Sequence, residues 1–193
     1  IALEFDIPII SIVTTYAGSE TTGLQGMFED GKRVLKRSSH MLPKTIIYDP
    51  ELSVSLPLEI SIASAVNSMA HAVSSFLGEH PNPVTNLIAE EGLRVMRSAL
   101  PRIADSPVDV NARGDALYGA WLCGSTLNTA GVVFHHKVCH VLGGSFKLPH
   151  AITHTIILPH STGYNRDYAP EAMSRIARAF GDENSDVAGE VFD

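Results

Sequence analysis

The sequence predicts a chain in two parts: an α/β segment over residues 1–55 and an all-helical part over residues 56–193. Residues 7–14 form a continuous apolar, β-branched run, which is typical of a buried strand in an α/β sheet. After Leu56-Pro57 the apolar residues recur at helical spacing, and prolines divide the remaining sequence into helix-length pieces.

The elements of the α/β part follow from local residue types. The run at 7–14 is followed by a hydroxyl-rich loop at 14–20. Ligand-binding loops commonly occupy this position, directly after the carboxyl end of a strand. Such loops often only turn the chain. Residues 26–37 read as a hairpin around Glu29-Asp30-Gly31, and 45–48 as a short strand stopped by Asp49-Pro50.

The helical part is predicted from periodicity and from its breaks. Pro57 suits a first helical turn. We expect Gly143-Gly144 to end the fourth helix. Pro149 is expected to begin a further helix and to direct the His150 side chain inward. The helices are expected to be separated by prolines, which include Pro101 and Pro159. The predicted ranges are 57–77, 83–100, 111–128, 131–142 and 170–180.

Composition and charge narrow the function classes. The net charge of -7 argues against nucleic acid, and no apolar stretch approaches the roughly 20 residues of a membrane span. Cys123 and Cys139 form no CxxC pair, so we expect a reduced, cytoplasmic setting. The sequence opens without methionine, and we interpret it as a fragment of a longer protein.

Histidines carry the chemical signal. His136 and His140 are four residues apart, as are Asn67 and His71, so each pair lies on one face of its predicted helix. Together with His150 they are expected to converge on one polar site. Because several neighbouring imidazoles are hard to explain structurally, the pattern favours a metal site or an acid–base site.

Other readings of these residues remain open. A lone histidine in an apolar helix such as that of His71 is more often a hydrogen-bonded core residue than a ligand. Cys139 is expected to be a buried apolar filler, and His135 to point away from His136 and His140. His154 lies one turn after His150 and is expected to line the same site.

Several motifs are shared with a known family: Thr14-Thr15-Tyr16-Ala17-Gly18-Ser19-Glu20, Tyr48-Asp49-Pro50, Asn67 with His71, the segment 116–124, and the long block 135–150. With these the chain resembles the iron-containing alcohol dehydrogenases, and most closely their maleylacetate reductase branch. The resemblance implies a dinucleotide-binding domain followed by a helical, dehydroquinate synthase-like domain. Residues 1–55 would end the first, and 56–193 would form part of the second.

The resemblance also implies site roles. Thr14, Thr15 and Ser19 correspond to a segment beside NADH or NADPH. The family's metal ligands, one Asp and three His, correspond to Asn67, His71, His136 and His150, and His140 to a further active-site histidine. Because an amide replaces the carboxylate at Asn67, affinity for iron or zinc is expected to fall.

The activity implied is reduction of maleylacetate to 3-oxoadipate by NAD(P)H in aromatic-compound breakdown. His71, His136, His140 and His150 are the catalytic candidates: the histidines would stabilise an enolate oxygen, at least one of them protonated, and His140 would relay a proton. A small dicarboxylate substrate and a homodimer are expected. Lys137 or Tyr16 would meet a substrate carboxylate, with Lys137 as a solvated surface residue the equally favoured alternative. A metal-dependent alcohol dehydrogenase and a non-catalytic fragment are the alternatives.

Overall fold

The computed structural model describes residues 2–29, 32–78, 82–130 and 133–182. Its first part contains a short helix α1, Ala2–Phe5, and two small sheets. Strands β1, Ile10–Ile12, and β4, Thr45–Ile47, pair in parallel, and β2, Leu24–Glu29, pairs antiparallel with β3, Lys32–Arg37. The predicted hairpin is therefore confirmed in its two strands, while Asp30 and Gly31 of its turn lie outside the described residues.

The prediction of a buried first strand is wrong for this chain. Ile10 and Ile12 of β1 are 66% and 56% exposed, and Ile47 of β4 is 43% exposed. Within the described residues β1 has β4 as its only strand neighbour. An apolar strand is buried only where other layers cover both faces of its sheet, and a pair of strands alone does not provide them.

Six long helices make up the rest of the described chain: α2 Leu58–Phe76, α3 Pro83–Asp105, α4 Val110–Ala130, α5 Phe134–Phe146, α6 His150–Asn165 and α7 Pro170–Ala179. The predicted all-helical part is confirmed. None of these helices is both long and apolar enough to cross a bilayer within the described ranges.

Three predicted helix breaks are wrong. Pro101 lies inside α3 and Pro159 inside α6. An interior proline loses one backbone hydrogen bond at a cost of about 3 kcal/mol, which burial of neighbours such as Ile103 offsets. Gly143 and Gly144 lie within α5, which ends instead at Lys147 in the left-handed conformation with φ 55°.

Helix α2 is the centre of the bundle. It packs against α3, α4 and α6, while α5 packs against α6 and α7 against α3. Small residues keep these helices close, since Gly92 of α3 leaves room for Cys123 of α4: a Cβ on Gly92 would lie 2.7 Å from the cysteine Sγ. The close packing brings α2, α5 and α6 together around the histidines.

A buried arginine attaches the loop at 14–20 to the bundle. Arg113 of α4 is fully buried and donates hydrogen bonds to the Tyr16 hydroxyl at 2.9 Å, the Leu56 carbonyl at 3.1 Å and the Pro107 carbonyl at 2.7 Å. Tyr16 is itself fully buried and its hydroxyl donates to Ser53. Tyr16 therefore holds the loop in place and does not face a substrate, contrary to the expectation from sequence.

Gly18 fixes the same loop against α4. It adopts φ 70°, and an added Cβ would lie 2.7 Å from the Ala120 carbonyl oxygen and 2.9 Å from the Gly124 Cα. A side chain at this position would meet both backbone strain and a rigid helix surface. The close approach of the loop to α4 therefore requires glycine at position 18.

We expect Gly18→Ala to lower the free energy of unfolding of the full-length protein by at least about 1–2 kcal/mol, because left-handed backbone costs an L-residue this much before any clash. Gly144→Ala is the matched control: no atom lies within 4 Å of its added Cβ, and helix propensity predicts a gain of about 1 kcal/mol. Denaturant unfolding measures both. Equal stabilities for the two variants would contradict the assigned loop packing.

Candidate functional site

One cavity of about 550 Å³ joins the loop at 14–20 to the helical bundle. Its lining includes all the cofactor, catalytic and metal-ligand positions predicted from sequence, namely Thr14, Thr15, Ser19, Asn67, His71, His136, His140 and His150. The structure thus brings these residues from β1's loop, α2, α5 and the start of α6 to one place. We call this space the histidine cavity.

Two buried histidines form a direct bridge between α2 and α5. His71 Nδ1 lies 2.8 Å from His136 Nε2, and the two rings stack with centroids 4.9 Å apart. Ser74, one turn after His71, places its Oγ 3.1 Å from His136 Nδ1. The remaining partner of the His71 ring is the backbone of Ala17.

The partners fix which ring nitrogens carry protons. The Ala17 carbonyl only accepts, so His71 donates to it and its Nδ1 is left as an acceptor. His136 then donates from Nε2 to His71 and accepts from Ser74 at Nδ1. Both N–H groups are therefore directed at protein acceptors rather than into the histidine cavity.

Burial keeps both rings neutral. Burial, and after it the charges that neighbouring histidines would carry, lowers the pKa of His71 from 6.5 to about 3, although the Ala17 hydrogen bond opposes this shift. Burial, followed by the same kind of repulsion, also holds the pKa of His136 well below its ordinary value. A desolvated imidazolium beside other imidazoles is costly, so neither ring is the protonated one expected from sequence.

His140 and His150 stand at the more open side of the histidine cavity. His140 is half-buried and His150, the first residue of α6, is exposed. Their rings stack with centroids 6.1 Å apart. These two imidazoles are therefore more accessible to a bound molecule than His71 and His136 are.

A second buried network lies behind the first, between α5 and α6. His135 Nδ1 lies 2.8 Å from Ser161 Oγ, and His135 Nε2 lies 3.0 Å from His154 Nδ1. Cys139 Sγ is 3.7 Å from the same Nε2. The expectation from sequence that His135 points away from the other rings is wrong. Its ring centroid lies 5.2 Å from that of His136.

The groups of this second network are also uncharged. Burial, with smaller contributions from His140 and His150, lowers the pKa of His135 to about 4. Burial lowers the pKa of His154 to about 2, and repulsion from neighbouring histidines, most of all His150, adds to this shift. Burial raises the pKa of the Cys139 thiol to about 11, so the thiol keeps its proton.

The four positions implied by the family do not fit a divalent ion held by all of them. Asn67 Oδ1 is buried without a hydrogen-bond partner and is a suitable acceptor, but it is neutral where a carboxylate would add charge. Both nitrogens of His136 are engaged by His71 and Ser74. Among the described His, Cys, Asp and Glu, His71, His136 and His150 do not form a group with ligand atoms within 4.8 Å.

Sequence reasoning missed two residues of the site, one that holds His136 in place and one that lines the histidine cavity. Ser74 follows His71 at helical spacing, and that spacing was a readable signal. Glu20 lines the histidine cavity and accepts a 2.8 Å hydrogen bond from Tyr48, whose pKa is raised by burial and then by the charge of Glu20. The Tyr48–Glu20 hydrogen bond joins the motif at 14–20 to the motif at 48–50. A contact between two distant segments cannot be predicted from a single sequence.

Comparison with known proteins agrees with this architecture. Residues 61–192 match the model of the Fe-containing alcohol dehydrogenase family, C-terminal domain. The chain is 50% identical over 181 residues to a maleylacetate reductase of Sphingobium indicum, and 51% identical over 181 residues to one of Burkholderia cepacia. Each match covers 94% of this chain and 51% of the relative.

A solved structure shows the same fold. The crystal structure of maleylacetate reductase from Rhizobium sp. strain MTP-10005 superposes with a TM-score of 0.93 at 44% identity, covering 99% of this chain and 53% of that one. The chain spans about half the length of the curated relatives it matches. By the family match and the shared fold, this chain belongs to the iron-containing alcohol dehydrogenase family.

Proposed function

We propose that the full protein is a maleylacetate reductase, which reduces maleylacetate to 3-oxoadipate with NADH or NADPH. The observation that carries this proposal is the identity of 50–51% with two curated maleylacetate reductases over 94% of this chain. In this proposal residues 1–55 close the nucleotide-binding domain, and residues 56–193 supply the helical side of the active site.

The loop at 14–20 fits the cofactor role assigned to it. Thr14, Thr15 and Ser19 line the histidine cavity beside the imidazoles, and hydroxyls and backbone N–H groups suit the carboxamide of a nicotinamide. A bound reduced nicotinamide supplies a hydride to the substrate. Arg113 and Gly18 hold this loop so that its hydroxyls remain at the edge of the histidine cavity.

The substrate's own electronics define what the side chains must do. Maleylacetate has an alkene conjugated to a ketone, so hydride addition to the alkene carbon β to the ketone moves an electron pair onto the ketone oxygen. The resulting enolate needs hydrogen-bond donors at that oxygen and then a proton at its α carbon. The product is 3-oxoadipate, and the reaction consumes one proton.

The positions of the four catalytic candidates suggest a division of roles. His140 and His150 are the more accessible rings, so we assign them to the enolate oxygen and to proton return, with His140 as the relay. His71 directs its N–H at Ala17 and His136 directs its N–H at His71, so we assign both rings to positioning. No step passes through a metal, because the four positions do not fit an ion held by all of them.

The substrate carboxylates need polar partners in the same space. Lys137 is exposed on α5, and it is not among the described residues that line the histidine cavity. That described lining contains no Lys or Arg, but it does contain the hydroxyls of Thr14, Thr15, Ser19 and Thr22. We therefore assign carboxylate contacts to hydroxyls and imidazoles and withdraw the assignment to Tyr16.

The proposed activity is tested on the full-length protein by the loss of reduced-nicotinamide absorbance. We expect turnover of maleylacetate, no turnover of simple primary alcohols with the oxidised cofactor, and no loss of maleylacetate activity after dialysis against a strong chelator. Activity on alcohols that a chelator abolishes and iron or zinc restores would instead support the metal-dependent alcohol dehydrogenase.

His140→Asn should lower kcat of the full-length enzyme by about 10²-fold or more with a much smaller change in KM, because general acid–base groups typically contribute this factor. Lys137→Gln is the matched control on the same helix and should stay within a few-fold of the parent. Steady-state kinetics measures both. A His140 variant as active as the control would remove His140 from the proton relay.

Buried neutral histidines make stability fall in acid. The unfolded rings have an ordinary pKa of 6.5, while the folded values for His71, His135 and His154 are about 3, 4 and 2. Below pH 6.5 the unfolded state therefore binds more protons, and each ring withdraws up to about 1.4 kcal/mol of stability per pH unit.

Denaturant unfolding between about pH 7 and pH 5 measures this slope. His71→Asn should reduce it by about one proton, whereas Ser74→Ala should lower stability without changing the slope, because it removes a hydroxyl and no titrating ring. A free energy of unfolding that does not decrease over this pH range would contradict the assignment of neutral buried rings.

A further inference from the structure

His135, Cys139 and His154 form a compact buried set of metal-type donors. His135 and Cys139 lie one turn apart on α5, and His154 faces them from α6. All three are buried, and their ligand atoms lie within 4.8 Å of one another, an arrangement met by no other group of this kind in the described ranges. We call this set the inner site.

Two donor–donor distances at the inner site are close to those of a tetrahedral zinc centre. Zn–N bonds of about 2.05 Å and Zn–S bonds of about 2.3 Å separate two nitrogens by roughly 3.3 Å and a nitrogen from a sulfur by roughly 3.6 Å. Here His135 Nε2 lies 3.0 Å from His154 Nδ1 and 3.7 Å from Cys139 Sγ. Small side-chain adjustments would admit the ion.

The surroundings orient the donors. Ser161 gives its own hydroxyl proton to the Leu158 carbonyl at 3.0 Å, so it accepts from His135 Nδ1–H. The His135 lone pair on Nε2 is thereby aimed at Cys139 and His154. Metal-binding histidines are commonly held this way, by a hydrogen bond from the ring nitrogen that does not face the metal.

The polar atoms of His154 are incompletely satisfied. Its ring is fully buried, its Nδ1 faces His135, and its Nε2 has no hydrogen-bond partner. A buried polar atom without a partner costs about 1–3 kcal/mol, which a core of this packing usually avoids. Because Nε2 makes no hydrogen bond, it can take up the ring proton when Nδ1 turns its lone pair toward a ligand.

We propose that His135 Nε2, Cys139 Sγ and His154 Nδ1 bind a zinc ion at the inner site, separate from the four positions that the family assigns to its metal. Binding releases the Cys139 thiol proton to solvent, and the His154 proton moves from Nδ1 to the unpartnered Nε2. Sulfur and imidazole donors suit zinc, and three protein ligands leave a fourth position for water.

The inner site is distinct from the proposed reductase chemistry. None of its three side chains is among the residues that line the histidine cavity, and none is a position implied for the family's metal. The His154 ring nevertheless contacts His150 with centroids 4.4 Å apart. An ion here would cross-link α5 to α6 directly behind the accessible histidines.

Cobalt titration of the full-length protein, with the endogenous metal first removed, tests the proposal. Co²⁺ bound to a thiolate gives a sulfur-to-metal charge-transfer band in the near ultraviolet, whereas binding by Asn67, His71, His136 and His150 gives none. We expect a stoichiometric band that zinc abolishes. It should be lost in Cys139→Ser and kept in Cys123→Ser, which changes the other buried cysteine.

X-ray absorption of the zinc-loaded parent protein removes any dependence on the folding of the variants. We expect one sulfur and two imidazole nitrogens around zinc. No charge-transfer band, a band that persists in Cys139→Ser, or a zinc shell of nitrogen and oxygen alone would overturn the inner site. These readouts do not involve turnover, so they are independent of whether the protein reduces maleylacetate.

Discussion

The hydrogen bond between His71 and His136 is the interaction on which the histidine cavity depends. It joins α2 to α5 across their buried faces at 2.8 Å, and each ring is held at its other nitrogen by Ala17 or Ser74. A chain of this kind satisfies every polar atom of two desolvated imidazoles without a charge. The chain therefore fixes the orientations of His71 and His136, and the more open rings of His140 and His150 remain accessible to a ligand.

The loop at 14–20 is the other half of this arrangement. The carbonyl of Ala17 completes the histidine chain, so the loop must stay against the bundle for the rings to keep their protonation pattern. Arg113 and Gly18 secure it, one through a buried hydrogen bond to Tyr16 and one through close contact with α4. The residues that line the proposed cofactor contact and the residues that orient the histidines are thus coupled through one short segment.

The helical part and the placement of His71, His136, His140 and His150 in one cavity were predictable, because apolar period reports local structure and shared spacing reports a shared face. Sequence reasoning failed where a neighbouring helix decides the outcome. Adjacent residues on α5 point about 100° apart, so His136 meets α2 and His135 meets α6, yet both remain inside the bundle. The prolines within α3 and α6 were misjudged for the same reason, since packing outweighed local preference.

Nitrogen-15 NMR of histidine side chains in the full-length protein tests the neutral His71–His136 pair most directly. At about pH 5.5, between the ordinary pKa of 6.5 and the folded value of about 3 for His71, each ring should have one protonated and one bare nitrogen. The bare nitrogen of His71 is Nδ1, facing His136, and that of His136 is Nδ1, facing Ser74. Imidazolium signals from either ring at that pH would contradict it.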